Sequence, residues 1–131
     1  MAAKTRKLIA RTTAAIRAAV QIGRAARYAT LNGPLQQQLN EGRLIQASTY
    51  LRTLGVEDAG IRSFRSWYGR KVKAAYRDQH GHLNPQMAWA QIDGRWMHVC
   101  VYNPSDPALR AGVEAYPRLA AVVDFRALEV A

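Results

Sequence analysis

The stretch from Met87 to Tyr102 constrains this chain more than any other. Met87 to Ile92 and Arg95 to Tyr102 alternate in side-chain character and are joined by Asp93-Gly94. An Asp-Gly link supplies the two positive φ angles of a type I′ turn, whose twist suits antiparallel strands, so the stretch is predicted to be a β-hairpin. Pairing across the turn puts Ala88, Ala90, Ile92, Met97, Val99 and Val101 on one face, suited to a core. The other face carries Met87, Trp89, Gln91, Trp96, His98, Cys100 and Tyr102. It invites cover by the C-terminal helices, or a protein partner at Trp89, Trp96 and Tyr102.

Upstream of the hairpin the pattern is helical. Ala2 to Asn32 is rich in Ala, Arg, Leu and Ile and free of proline, which predicts one long helix ended by Asn32-Gly33-Pro34. Leu8, Thr12, Ala15, Ile16, Ala19, Val20 and Ile22 form its apolar stripe, with Arg6, Lys7, Arg11, Arg17 and Arg24 on the other side. Such a helix serves as a core or dimer element, or as an arm that touches phosphate. Its Ala-rich stripe, without Trp or Phe, argues against a membrane surface.

Short helices are predicted at Pro34 to Asn40 and Gln46 to Leu54. A turn at Gly55 follows, then a basic helix from Ala59 to about Gln79 with Asp58 as its N-cap. Gly69 interrupts that helix and marks a kink, a boundary or a close backbone approach. Asp106-Pro107 opens a helix ending near Tyr116-Pro117, and Arg118 to Ala131 fits helix or strand, helix the better.

Ala47 to Phe64 has the spacing of a helix-turn-helix, in which Tyr50, Leu54, Val56, Ile61 and Phe64 lock two helices together around Gly55. Leu51 departs from it, standing where close helix contact usually wants alanine; a plain helical hairpin would bury similar positions. In the second helix Ile61, Phe64, Tyr68, Val72 and Ala75 form the buried face. Arg62, Ser63, Arg65 and Ser66 then stand nearest to base edges, while Arg70, Lys71, Lys73 and Arg77 suit phosphates. A hairpin soon after such a helix is a wing, with Arg95 beside its tip.

Charge points the same way. The 131 residues hold 19 Lys and Arg against 9 Asp and Glu, a net charge of +10. Residues 1–77 carry 15 of the basic and 3 of the acidic side chains, residues 78–131 only 4 and 6. So regional an excess implies a polyanionic partner rather than an evenly solvated surface.

Other chemistries find little support. The single cysteine, Cys100, allows no internal disulfide, which fits a reducing compartment. Leu8 to Ala19 is broken by Arg11 and Arg17, and neither a membrane span nor a signal peptide is expected. His80, His82, His98 and Cys100 lack metal-site spacing, and no phosphate loop, nucleophile elbow or carboxylate pair is visible.

Tyr68-Gly69-Arg70-Lys71-Val72-Lys73-Ala74-Ala75-Tyr76-Arg77, His80-Gly81, Asp93-Gly94-Arg95 and Val99-Cys100-Val101-Tyr102 together resemble a module of phage-encoded antirepressor and regulatory proteins. The likeness covers Tyr68 to Leu109 and implies a mobile-element origin with a DNA-binding or repressor-binding role. The expected fold is α+β, mostly helical and winged helix-turn-helix-like, with residues 1–33 as a basic extension and 34–131 as the domain. The expected function is non-catalytic binding of duplex DNA in the cytoplasm, at the nucleoid, by a transcriptional regulator or architectural factor, with the first helix offering a homodimer contact. No cofactor is implied. An antirepressor or assembly protein and an RNA-binding protein are the alternatives.

Overall fold

The computed structural model describes residues 2–125, with side chains from Thr5 onward. The order is α1 (Ala2–Asn32), α2 (Pro34–Asn40), β1 (Ile45–Gln46), α3 (Ala47–Thr53), α4 (Asp58–Gln79), β2 (Gln86–Ile92), β3 (Arg95–Tyr102), α5 (Pro107–Glu114) and α6 (Pro117–Ala120). The fold is α+β, mostly helical, with the long N-terminal helix and the hairpin both formed as the sequence predicts. Asp93 and Gly94 adopt φ of 50° and 78°, as a type I′ turn requires.

One strand escapes the sequence pattern. Ile45 and Gln46 pair antiparallel with Tyr102 and Val101, so the sheet order is β1-β3-β2. Helix, strand, two helices and a hairpin, with the first strand beside the third, is a winged-helix-like arrangement. The principal helix–helix contact lies elsewhere, between α4 and α5, so the helix that completes the core follows the hairpin.

That contact depends on Gly112. A Cβ on Gly112 would stand 2.5 Å from Val72 Cγ2 and 3.1 Å from both Tyr68 Cε2 and the Val72 backbone nitrogen. Glycine lets α5 lie directly on α4, and the Tyr68 hydroxyl donates to the Leu109 carbonyl at 2.9 Å inside the contact. Tyr68, Val72, Leu109 and Val113 are fully buried there, joined by Leu51 of α3 and Leu119 of α6. Leu51, the departure from the helix-turn-helix pattern, is thus a core residue. Tyr50, Leu54 and Ile61 are buried as predicted, and Val56, Phe64 and Ala75 pack against the same core.

Several expectations need correction. The N-cap of α4 is Glu57 without a side-chain bond, and Asp58 is in the first turn, where its charge favours the helix dipole. Gly69 is neither a boundary nor a close approach: α4 continues to Gln79 and a Cβ at Gly69 meets nothing within 4 Å. The close approach belongs to Gly112. The helix expected after Arg118 extends only to Ala120 among the described residues, and 126–131 lie outside them. Asp106 does cap α5, accepting from the Ala108 amide at 2.9 Å.

The hairpin's faces also divide differently. Ala88 and Val101 of the predicted core face are buried with Leu44, against Leu35 and Leu39 of α2, but Met97 is 48% exposed. The larger core takes Tyr102 from the other face, with Cys100 and Tyr76 packed beside it. Tyr102 is only 3% exposed, which removes it from any partner surface. Trp89 and Trp96 are covered by α1, not by the C-terminal helices: Tyr28 stacks on Trp96 at 4.5 Å and tilts against Trp89 at 5.0 Å. Asn32 secures this docking. Its Oδ1 accepts from the Trp89 amide at 2.6 Å and its Nδ2 donates to the Trp89 carbonyl at 3.0 Å, so one side-chain amide acts as the next strand on the open edge of β2.

Gly112→Ala should destabilise the protein by about 1–3 kcal/mol, because backbone as well as side chains must move. Gly69→Ala should leave stability unchanged or raise it by up to about 1 kcal/mol. Urea unfolding of the two variants checks both signs.

Candidate nucleic-acid interface

The rotation of α4 is set by its buried residues. With Ile61, Tyr68 and Val72 inward, Arg62, Ser66, Arg70, Lys73 and Arg77 are all exposed. At about 100° per residue they share an arc of about 80° on the solvent side. Ser63 is exposed just beyond its edge. Five of the eight positions proposed on this helix are thus brought together, and four of those five are cationic.

Two of the remainder are not. Lys71 is half-buried and lies about 180° around the helix from Arg62, so it cannot join the same contact surface. Arg65 is half-buried too, and its guanidinium donates to Asp93 Oδ2 in the hairpin turn at 2.6 Å. It ties the hairpin tip to α4 instead of being free to meet a base. Arg95 stands exposed beside the same turn, cross-strand from Ile92.

The Arg65 hydrogen bond, with the charges of Arg65 and then Arg62, holds the Asp93 carboxyl below the ordinary aspartate range. Burial raises the phenols of Tyr50, Tyr68 and Tyr102, which keeps them neutral. Among the described residues no three His, Cys, Asp or Glu side chains are grouped as a metal site, and no helix is long and apolar enough to cross a membrane.

One surface residue was missed from sequence. Trp67 is 56% exposed, with Arg70 Cζ 5.2 Å from its ring centre. Its spacing three residues before Arg70 was the available signal, masked by the partly buried Phe64 and the buried Tyr68 nearby.

Between α4 and the hairpin lies a groove of about 460 Å³, bordered by Arg65, Ser66, Gly69, Arg70 and Lys73 on the helix and by Gln91, His98 and Val99 on the strands. The auxiliary set Arg6, Lys7, Arg11, Arg17 and Arg24 is separate. Every residue from Thr5 to Arg27 of α1 is exposed, and among the described residues no carboxylate pairs with those cations. At about 1.5 Å per residue this arm is about 35 Å long.

A depressed folded-state pKa means that the Asp93–Arg65 tie contributes above the ordinary carboxylate pKa of about 3.9 and is lost as pH falls through the lower folded value. Carboxyl NMR should therefore show Asp93 titrating below about 3.9, and moving up towards it in Arg65→Ala. An identical midpoint in both proteins would show that the tie is absent in solution. Comparison with protein families, with curated proteins and with solved structures finds no match to this chain.

Proposed function

We propose that this protein binds duplex DNA without catalysis, through the outward arc of α4, as a regulator or architectural factor. The observation that carries the reading is the gathering of Arg62, Arg70, Lys73 and Arg77 on one exposed side of α4, the helix that follows the Gly55 turn in a winged-helix-like arrangement. A helix presented in this way fits a B-form major groove, whereas the A-form major groove of RNA is too deep and narrow for side chains to read. That favours DNA over double-stranded RNA. Arg62 and Ser66, near the N-terminal end of the arc, are the base-edge candidates; Arg70, Lys73 and Arg77 are the phosphate contacts, with Arg95 a separate candidate at the wing tip. Arg65 holds the wing in place. We extend the reading to a mobile-element regulator on the likeness of Tyr68 to Leu109 to phage regulatory proteins; work at the nucleoid would follow from duplex binding.

A second reading has its own observation. Leu8, Ile16, Val20 and Ile22 of α1 are exposed, an apolar stripe that the other described residues leave uncovered. It fits a homodimer through α1, and the neighbouring half-buried Tyr28, Trp89 and Trp96 fit a protein contact beside it.

Fluorescence anisotropy with labelled duplex DNA tests the first reading. Affinity should fall steeply with salt, and Lys73→Ala should weaken all sequences alike while reducing the log–log salt slope by about 1. Arg62→Ala should cost about 1–3 kcal/mol on the preferred sequence and much less on others. Absence of binding at low salt would overturn the proposal. RNA duplex bound as tightly as DNA would also overturn it.

A further inference from the structure

Among the described residues nothing explains Gly69. In a helix interior glycine is less stable than alanine. Here it does not end α4, its φ is not positive, and no neighbouring element needs the space, since a Cβ would meet no heavy atom within 4 Å. What Gly69 borders is the groove between α4 and the hairpin. Any longer side chain at this position would project from the helix into that space. Glycine without a protein neighbour, on the wall of a groove, is the arrangement that lets a ligand approach the backbone.

The lining says what kind of ligand. Arg52, Arg65, Arg70 and Lys73 face one carboxylate, Asp93, which Arg65 already neutralises. Arg52 lies 3.5 Å from the exposed Asp58, and among the described residues Arg70 and Lys73 have no carboxylate partner. The groove is therefore strongly cationic and short of internal counter-charge. Met87, on the strand face that Cys100 and Tyr102 turn toward α4, contributes apolar wall, while Gln91 on the same face brings an amide able both to donate and to accept. Its volume of about 460 Å³ is that of a small-molecule site. Anion, apolar body and a hydrogen-bonding edge are the three parts of a nucleotide.

We propose that this groove is a nucleotide site, with phosphate held by Arg70 and Lys73 and the base lying against Met87. The shared chemistry admits a free nucleoside monophosphate or an unpaired nucleotide within a strand. Because Arg70 and Lys73 also belong to the outward arc, a bound nucleotide competes with duplex DNA. The competition rests on the duplex-binding reading; the site does not.

AMP, adenosine, inorganic phosphate and a short oligodeoxyadenylate, titrated into the full chain by calorimetry and amide NMR, test the site. AMP should bind at least about tenfold more tightly than phosphate or adenosine, with shifts concentrated at Gly69, Gln91 and Val99. Gly69→Leu should lose at least about tenfold in AMP affinity with no fall in melting temperature, and Lys73→Ala should lose several-fold. Gly69→Ala, the smaller change, should fall between wild type and Gly69→Leu. AMP no tighter than phosphate, or Gly69→Leu binding like wild type, overturns the proposal. Oligonucleotide binding tighter than AMP supports it and assigns the strand as the source; weaker binding supports it and assigns the free nucleotide. Duplex anisotropy on Gly69→Leu separates the two readings: retained duplex binding with lost AMP binding locates the loss in the groove. AMP binding in a protein that ignores duplex DNA leaves the site standing alone.

Discussion

Every outward-facing group on α4 is oriented by one inward contact, the seating of Gly112 against Tyr68 and Val72. The glycine allows α5 to approach until no Cβ would fit, and Tyr68 can be buried there because its hydroxyl finds the Leu109 carbonyl. A buried hydroxyl without a partner would cost about 1–3 kcal/mol, comparable with burying a large apolar side chain. Turning α4 by even one residue would forfeit both the fit and the hydrogen bond. The arc of cations from Arg62 to Arg77 is therefore a consequence of the core: it faces solvent because the opposite side has a single satisfactory way to be buried.

The hairpin is held less uniformly, and the magnitudes differ along it. At its base Tyr102 and Val101 are buried in the two core clusters. At its outer edge Asn32 makes two hydrogen bonds to Trp89 in a part-buried setting, each worth about 1 kcal/mol net. At its tip there is the Arg65–Asp93 pair, short but exposed, and pairs of that kind contribute about 0–1 kcal/mol and weaken with salt. The tip is thus the end of the hairpin most easily released. An incoming polyanion would compete with Asp93 for Arg65, at the edge of both the arc and the groove.

What was legible in the sequence was local. The hairpin could be read because its turn chemistry and its alternation are both encoded within Met87 to Tyr102, and the buried side of α4 because its period repeats within one helix. What was not legible depends on residues far apart in the chain. Ile45 and Gln46 become a strand only because Tyr102 and Val101 come to lie beside them. Arg65 looks like its neighbours until Asp93 is brought within 2.6 Å. The two glycines make the same point in opposite senses. Gly69 is conspicuous within a basic helix yet touches nothing, whereas Gly112, in a short unremarked helix, carries the tightest contact, because what stands opposite a glycine is decided by tertiary packing. Lys71 stands next to Arg70 in sequence, yet adjacent helical residues diverge by about 100°, which turns it away from the arc.

The α1 arm brings two physical demands together. Its uncovered Leu8, Ile16, Val20 and Ile22 favour association, each side chain offering about 1.5–3 kcal/mol if fully buried. Yet the first carboxylate in the chain is Glu41, so two copies of α1 laid side by side would bring only like charges together. Packed stripe to stripe, however, the two helices turn Arg6, Arg17 and Arg24 outward, farther apart than the screening length of about 8 Å at physiological salt, so repulsion subtracts little from the apolar gain. A polyanion long enough to touch both arms adds to that gain, since it can bind along Arg6, Arg17 and Arg24 of two copies at once. Self-association through the stripe and anion binding along the basic side are therefore linked, and linkage is reciprocal: whatever phosphate adds to pairing of the arms, pairing adds to the affinity for phosphate.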